Sequence, residues 1–260
     1  MALDIIKGIK IRKISNDLYE DTLDFIVSEM PLKIYINYEL YTVLMCTPSG
    51  LKELTIGYLF SEGIITSTDD IVSIEEKFED RVCVVLKEEI KVNFDIVKAK
   101  SSGCGNASTQ VEYLELGLNN IINSNYKASY KSIIKLMKEF NKSSELFKQT
   151  GGVHSCALCN DEEIVIFTED IGRHNALDKV IGKGLVSNID ISNKFLLTTG
   201  RISSDIIVKA VKAGIPIVAS HSAPTDLALN IAEASGVAVI GFVRGLRMNL
   251  YTYKERIIEI

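Results

Sequence analysis

The sequence predicts an α/β protein: a C-terminal mixed, largely parallel sheet with helices on both faces, preceded by a smaller N-terminal α+β subdomain. Three observations carry this. From Thr150 onward, short apolar runs of strand length alternate with helical segments, the pattern of a sheet covered on both sides. Over the first hundred residues, β-branched and aromatic runs cluster around one helical stretch instead. With 260 residues, 47% hydrophobic and 24% charged, the chain has globular composition and enough apolar material for a large core.

The elements follow in order. MPLKIYINYELYTVLMCT reads as a β-hairpin turning at Asn37, Tyr38 and Glu39. LKELTIGYLFSEG has apolar residues at helical spacing and stops at Gly63. IVSIEEKF and RVCVVLK read as strands, which makes Cys83 and the hairpin's Cys46 core residues. The run of small polar residues KSSGCGNASTQ follows and is expected to be a flexible loop. ASYKSIIKLMKEFNKSSELF is helical with a break near Asn141. VHSCALC and EIVIFT are strands, and HNALDKVIGKG is a helix ending at its glycines. KFLLTT, IPIVAS and VAVIGFV are strands separated by the helices SSDIIVKAVKAG, capped at Ser203 or Ser204, and APTDLALNIAEASG; MNLYTY is a further candidate strand. The organisation expected is residues 1–99, a loop over 100–112 and a domain over 113–260.

The net charge of −5 argues against nonspecific nucleic-acid binding. The N-terminus lacks the apolar stretch of a signal peptide and no apolar run is long enough to span a bilayer. A cytoplasmic location is therefore expected. An odd count of five cysteines in a reducing compartment argues against a disulfide scaffold.

Chemistry is expected where strands end. EIVIFT leads into Glu169, Asp170, Arg173 and His174. KFLLTT leads into Arg201 and two serines, IPIVAS into His221 and Ser222, VAVIGFV into Arg244, Gly245 and Arg247. Strand ends that open onto helix N-termini gather anions, and arginines strengthen such a cradle. The bland alternative for any one loop is an ordinary helix cap or a solvated arginine. His154, Cys156 and Cys159 raise a zinc alternative, but strand alternation puts Cys159 on the face opposite the other two. The base-deaminase pattern is also missing, since Cys156 stands where its glutamate would be. No metal is expected. Cys104 sits between glycines with nothing to bury it. It is either a tolerated surface thiol or a tethered nucleophile, with Lys98 and Lys100 favouring thiolate.

TGGVHSCAL, EDIGRHNALDKVIG, TTGRISSD and GIPIVASHSAPTDLALNIAEASGVAVIGFVRGLRMNLYT, with PLKIYINYELYTVLMCTPSGLKELTIGYLFSEGII upstream, resemble the FdhD family of formate dehydrogenase accessory sulfurtransferases. The resemblance runs from about residue 34 to residue 252. It implies a cytidine deaminase-like C-terminal domain without the zinc site. It implies that persulfide sulfur passes from a cysteine desulfurase to the molybdenum bis(molybdopterin guanine dinucleotide) cofactor destined for formate dehydrogenase. It implies a homodimer. Carried over by position, Cys104 matches the persulfide-bearing cysteine. Phe242, Val243, Arg244, Gly245, Leu246 and Arg247 match the stretch that binds the cofactor's nucleotide. His154, Arg173, His174 and Arg201 lie in matching motifs without an assigned role. One departure stands out: many members carry Cys-x-x-Cys in the loop, and here Ala107 occupies the second position. The competing reading is a cofactor chaperone in which Cys104 is incidental.

Overall fold

The computed structural model describes residues 4–92, 94, 98–100 and 121–259. The chain opens with a hairpin of β1 (Ile6–Ser15) and β2 (Leu18–Val27), paired without slippage. Asn16 and Asp17 take φ of 49° and 62°, a two-residue turn whose twist matches the flanking strands. This hairpin is an element beyond those expected from the sequence, although isoleucines alternate with basic residues along β1. Much of it projects into solvent, with Leu18, Tyr19, Leu23 and Phe25 exposed. Its base is tied down by Ser28, which donates from its amide to the Ile5 carbonyl and from its hydroxyl to the Asp4 carbonyl.

β3 (Met30–Ile36) and β4 (Glu39–Cys46) form the expected hairpin, turning at Asn37 and Tyr38 with φ of 48° and 74°. With β5 (Ile71–Lys77), β6 (Arg81–Leu86) and β7 (Lys98–Lys100) they make a five-stranded sheet in the order β5-β6-β3-β4-β7. Alternate residues Leu32, Ile34, Ile36, Val82 and Val84 are buried against α1 (Leu51–Glu62), in one apolar cluster with Leu54 and Leu59. Gly63 ends α1 at φ 79°, as expected. Cys46 is buried as expected, but Cys83 is not a core residue. It alternates onto the opposite sheet face and is only half-buried.

After β8 (Ala128–Ser129) come α2 (Tyr130–Ser143) and α3 (Glu145–Thr150). The break expected near Asn141 falls at Ser144, where the Ser144 hydroxyl accepts from the Phe147 amide and restarts the helix. β9 (His154–Cys159), β10 (Ile164–Asp170) and α4 (Arg173–Val186) follow. Then come β11 (Phe195–Thr198), α5 (Ser204–Lys212), β12 (Ile217–Ser220), α6 (Asp226–Ser235), β13 (Ala238–Arg244) and β14 (Arg247–Leu250). β15 (Ile257–Ile258) pairs with β8. The six-stranded sheet runs β10-β9-β11-β12-β13-β14. It is mixed: parallel pairing is confined to β11–β12 and β12–β13, while β9, β10 and β14 add antiparallel edges. Helices cover both faces. α4, α5 and α6 pack against Leu158, Leu196, Val218 and Val239; α2 packs Leu136 and Phe140 against Phe195, Leu197 and Ile217.

α4 does not end at its glycines. It continues through Gly182 and Gly184 to Val186. A side chain at Gly182 would place its Cβ 1.9 Å from the Glu53 carbonyl oxygen, and one at Gly57 would place it 1.8 Å from the Asp178 carbonyl oxygen. α1 and α4 therefore cross backbone to backbone, and the glycines permit that approach. This contact seats the N-terminal sheet on the C-terminal one.

Candidate functional site

The carboxyl ends of β10, β11, β12 and β13 and the start of antiparallel β9 lie along one edge of the six-stranded sheet. That edge collects His154, Arg173, His174, Arg201, Ser203, His221 and Arg244, the polar strand ends anticipated from sequence. Two crossing hydrogen bonds hold the β11 and β12 exit loops together: Ile202 N–H donates to the Ala223 carbonyl and Thr225 N–H to the Ile202 carbonyl. A bridge between Ile202 and Pro224 lies beside them. His154 shares a hydrogen bond of 3.1 Å with the Thr199 hydroxyl, and Thr199 also accepts from the Ser155 amide. Arg173 begins α4 and lies across the β11 exit, where a Cβ on Gly200 would sit 2.9 Å from the Arg173 Cβ.

The edge is electropositive. Burial, and then the neighbouring Arg201, hold the Arg173 guanidinium below its ordinary range. Burial lowers His154, with Arg173 and His221 adding to the effect. Burial lowers His221, with Arg244 adding to it. His174 approaches the Asp205 carboxylate at 3.7 Å.

Residues 242–247 have unusual backbone. Phe242 has φ 53° within a bulge, and its amide donates to the Ser222 carbonyl at 3.0 Å. A bulky residue in the left-handed region stores strain, and such strain concentrates at ligand sites. Val243 is buried and anchors the strand. The Arg244 guanidinium lies 5.5 Å from the Phe242 ring centroid, and its Nε donates to the His221 carbonyl. Gly245, at φ 61°, and Leu246, 90% exposed, make the turn between paired Arg244 and Arg247. The guanidinium lies over the ring, a cation–π contact that joins the two side chains at the end of β13.

Behind the edge lies a buried polar network that the sequence does not announce. Asp170 is fully buried at the end of β10. It accepts from the Thr47 amide and hydroxyl, the Gly172 amide and Asn175 Nδ2, and pairs with Lys179 at 2.6 Å. Asn175 also donates to the Met45 carbonyl. Three residues along α4, Asp178 accepts from Ser61 and from Lys209, both at 2.7 Å. Burial pushes Asp178 up against the pull of that lysine. Asn175, Asp178, Lys179 and Gly182 occupy one helical face, so half of the EDIGRHNALDK block is a buried clamp onto the N-terminal sheet. The other half supplies Arg173 and His174 to the edge.

Cys104 and Ala107 lie outside the described residues. The last described strand before them, β7, pairs in parallel with β4, Lys100 opposite Leu44. β4 runs on to Thr47, which is bonded to Asp170 at the sheet edge. The chain thus departs toward Cys104 alongside the strand that ends at the arginine-rich edge. Four residues of chain span at most roughly 14 Å. Cys46, Cys156 and Cys159 are buried. Burial pushes the Cys46 and Cys156 thiols up to about 12 and raises Cys159 as well. Cys156 and Cys159 belong to apolar clusters on opposite faces of the sheet. Among the described residues, no cluster of His, Cys, Asp and Glu side chains is arranged to hold a metal, and no helix is long and apolar enough to cross a membrane. A cleft of about 650 Å³, lined by residues 121–126, 192–193 and 211–214, lies at the opposite ends of β11 and β12 and holds none of these groups.

Comparison with known proteins gives a consistent picture. The FdhD/NarQ family model matches residues 27–258. A sulfur carrier protein FdhD from Listeria innocua is 37% identical over 260 residues, spanning 98% of this chain and 100% of its own. One from Sulfurisphaera tokodaii is 39% identical over 260 residues, spanning 97% of this chain and 99% of its own. Among solved structures, a Desulfotalea psychrophila protein provisionally named a formate dehydrogenase accessory protein superposes with a TM-score of 0.82. It is 29% identical and covers 98% of this chain and 100% of its own.

Proposed function

The chain belongs to the FdhD/NarQ family, and from that premise we propose that it is a cytoplasmic sulfur carrier whose Cys104 takes persulfide sulfur from a cysteine desulfurase. It delivers that sulfur to a molybdenum bis(molybdopterin guanine dinucleotide) cofactor, held at the sheet edge as cargo, for formate dehydrogenase. The observation that carries this reading is the parallel pairing of β7 with β4. It starts the Cys104-bearing segment beside the electropositive edge. Residues 113–260 would form the cargo-binding domain, deaminase-like by resemblance, and residues 1–99 the platform from which the 100–112 segment departs. The working unit would be a homodimer.

In the first step, the Cys104 thiolate attacks the terminal sulfur of the donor persulfide. A Cys104 sulfur–sulfur bond forms, the donor's breaks, and the donor cysteine leaves as thiolate. Release of the carried sulfur as sulfide consumes two electrons. With Ala107 in place of a second loop thiol, and with Cys46, Cys156 and Cys159 buried, two external thiols would supply them: the first displaces sulfide and forms a mixed disulfide with Cys104, and the second frees the Cys104 thiol as the two leave joined in a disulfide. Phe242 and Arg244 would stack the guanine, and Gly245 would admit it close to the backbone. Incubation with a cysteine desulfurase and cysteine, followed by mass spectrometry, tests the carrier step. One sulfur should be gained on Cys104 and none by Cys104→Ala. Unchanged maturation of formate dehydrogenase by Cys104→Ser would favour a chaperone with an incidental thiol.

A further inference from the structure

We infer that the β1–β2 hairpin is a docking arm, and that the open edge of β1 takes up an extended acidic segment of the formate dehydrogenase that receives the cargo. The identity of that partner rests on the proposed function; the observations that point to an acidic strand at this edge are separate from it.

The first is an incomplete sheet. β1 and β2 have ten residues each and, among the described residues, pair only with one another. A two-stranded sheet on its own is marginal in water, and a third strand or a packed helix completes it. α3 lies beside β2. β1 pairs with β2 alone, so the N–H and C=O groups along its other edge are open. An open edge of this length is a template for a strand from another chain. Ile9, Ile14, Leu23, Phe25 and Ile26 are exposed along the same hairpin, and apolar surface gathered in this way marks an interaction site.

The second is the sorting of charge. β1 carries Lys7, Lys10, Arg12 and Lys13 and no acidic residue, while β2 carries Glu20, Asp21 and Asp24 and no basic one. β1 thus already accepts one acidic strand. Lys13 lies opposite Glu20, and Arg12 lies opposite Asp21, to which it donates two hydrogen bonds of 2.7 and 2.9 Å. Lys7 and Lys10 instead lie opposite the apolar Ile26 and Leu23, with no countercharge across the ladder. In a chain of net charge −5, this strand is a local positive stripe. A second copy of the chain does not answer it, because a two-fold axis at this edge would lay one basic strand beside another. Lys7, Ile9, Ile11 and Lys13 share one face of β1. A foreign strand in which acidic and apolar residues are interspersed meets both the lysines and the isoleucines between them.

The third is where the arm is rooted. Val27, at the end of β2, lies against Gly152, where a Cβ would sit 2.7 Å from Val27 Cγ1. His154, two residues on, starts β9 at the polar edge of the six-stranded sheet. α3 is tied to the same corner by its cap: the Ser144 hydroxyl donates to the Glu169 carboxylate near the end of β10. The arm therefore starts from the β9–β10 corner of that edge. An enzyme that receives cargo from the edge has to sit against it while the cargo leaves. A sulfur donor has to reach only the Cys104-bearing segment. That difference assigns the arm to the enzyme.

Biolayer interferometry of the full chain against its formate dehydrogenase, purified without cofactor, tests this at low and at moderate salt. The variant carries Lys7→Glu, Lys10→Glu and Lys13→Glu together. All three side chains are exposed, so it should fold normally, as a thermal melt would check. Wild type should bind with an affinity that falls as salt rises, and the triple variant should bind about tenfold or more weakly. Hydrogen exchange should show amides along residues 6–15 gaining protection in the complex, as a strand added at that edge requires. Loading of sulfur onto Cys104 by the desulfurase should be the same in both proteins. The inference is overturned if the variant binds the enzyme as wild type does, or if the enzyme leaves exchange along 6–15 unchanged. It is also overturned if the variant loses sulfur loading but keeps the enzyme, which gives the arm to the donor. A dimer in sedimentation that the three substitutions dissociate gives the edge to a second copy and overturns it too. If wild type loads sulfur but does not bind the enzyme, the carrier reading survives and the docking arm does not. If the enzyme binds through the lysines while Cys104 stays unloaded, the docking arm stands and the carrier reading falls.

Discussion

Replacing Asp170 by alanine should be among the most damaging single changes in the chain, and the reason is Lys179. The Lys179 side chain is 4% exposed and its ammonium sits 2.6 Å from Asp170. Without the carboxylate it retains two neutral acceptors, the Thr47 hydroxyl and the Glu169 carbonyl, and has no countercharge. Removing one partner of a buried pair costs about 3–5 kcal/mol, because the remaining charge is stranded away from water. The amides of Thr47 and Gly172 and the side chain of Asn175 lose an acceptor in the same stroke. Against a total stability of about 5–15 kcal/mol, that brings the protein near its unfolding threshold. The diagnostic is the double variant. Asp170→Ala with Lys179→Met removes the stranded charge and fills its volume, so it should be at least about 2 kcal/mol more stable than Asp170→Ala alone. Urea unfolding followed by circular dichroism at neutral pH reads both. An Asp170→Ala loss under about 1 kcal/mol, or a double variant whose loss is the simple sum of the two single losses, would refute the clamp as a coupled ion pair.

Gly57→Ala should cost at least the roughly 1–3 kcal/mol of core overpacking, because the added Cβ would meet the Asp178 carbonyl oxygen at 1.8 Å; a change in urea midpoint too small to measure would contradict the close helix crossing. Alkylation of the native protein should spare Cys46, Cys156 and Cys159, which are buried, until denaturant is added; peptide mapping that finds any of the three labelled in the native state would be inconsistent with their packing. The pKa values of His154 and His221 lie below the ordinary 6.5, through burial first and arginine neighbours second. Their stabilising contribution is therefore present above about pH 6.5 and lost as pH falls through the folded values. A bound anion favours the imidazolium, so the rise in melting temperature given by pyrophosphate should grow as pH falls below about 6.5. In a His154→Gln, His221→Gln variant that growth should vanish; an identical pH dependence in both proteins would assign it to other groups.

The C-terminal strands and helices were legible because each carries its own period and its own punctuation. Gly63 stopped α1 where the sequence placed the stop, and Asn37 and Tyr38 made the turn that their neighbours required. What could not be read depends on partners distant in the chain. Gly182 looks like a helix terminator until Gly57 is brought against it. Cys83, between valines, looks like core until pairing fixes which face of β6 is covered. β1 and β2 carry a legible alternation, but their exposed apolar residues do not mark an inner face, so the hairpin could not be told from an unstructured N-terminus. At the site, the polar strand ends were identifiable one by one. Which of their atoms would be left without partners was not, because that depends on how three loops meet.

The EDIGRHNALDK block shows why such a dense polar motif sits where it does. An apolar helix face could have seated α4 on α1, and burying ion pairs is rarely the most stabilising choice. What the polar face adds is register. Asn175 reaches the Met45 carbonyl, Asp170 takes both hydrogen-bonding groups of Thr47, and Asp178 takes the Ser61 hydroxyl. Each bond is directional, and the paired glycines leave no slack between the helices. A slide along the helix axis would break several of these bonds at once, whereas an oily interface would tolerate it. The end of β4 is therefore fixed relative to Arg173, which lies three residues after Asp170 at the junction of β10 and α4. Since β7 pairs with β4, the departure point of the Cys104 segment is fixed by the same bonds. For the carrier role proposed for Cys104, the point at which its segment leaves the sheet must be held in place, and a hydrogen-bonded clamp with no room to slide would supply that.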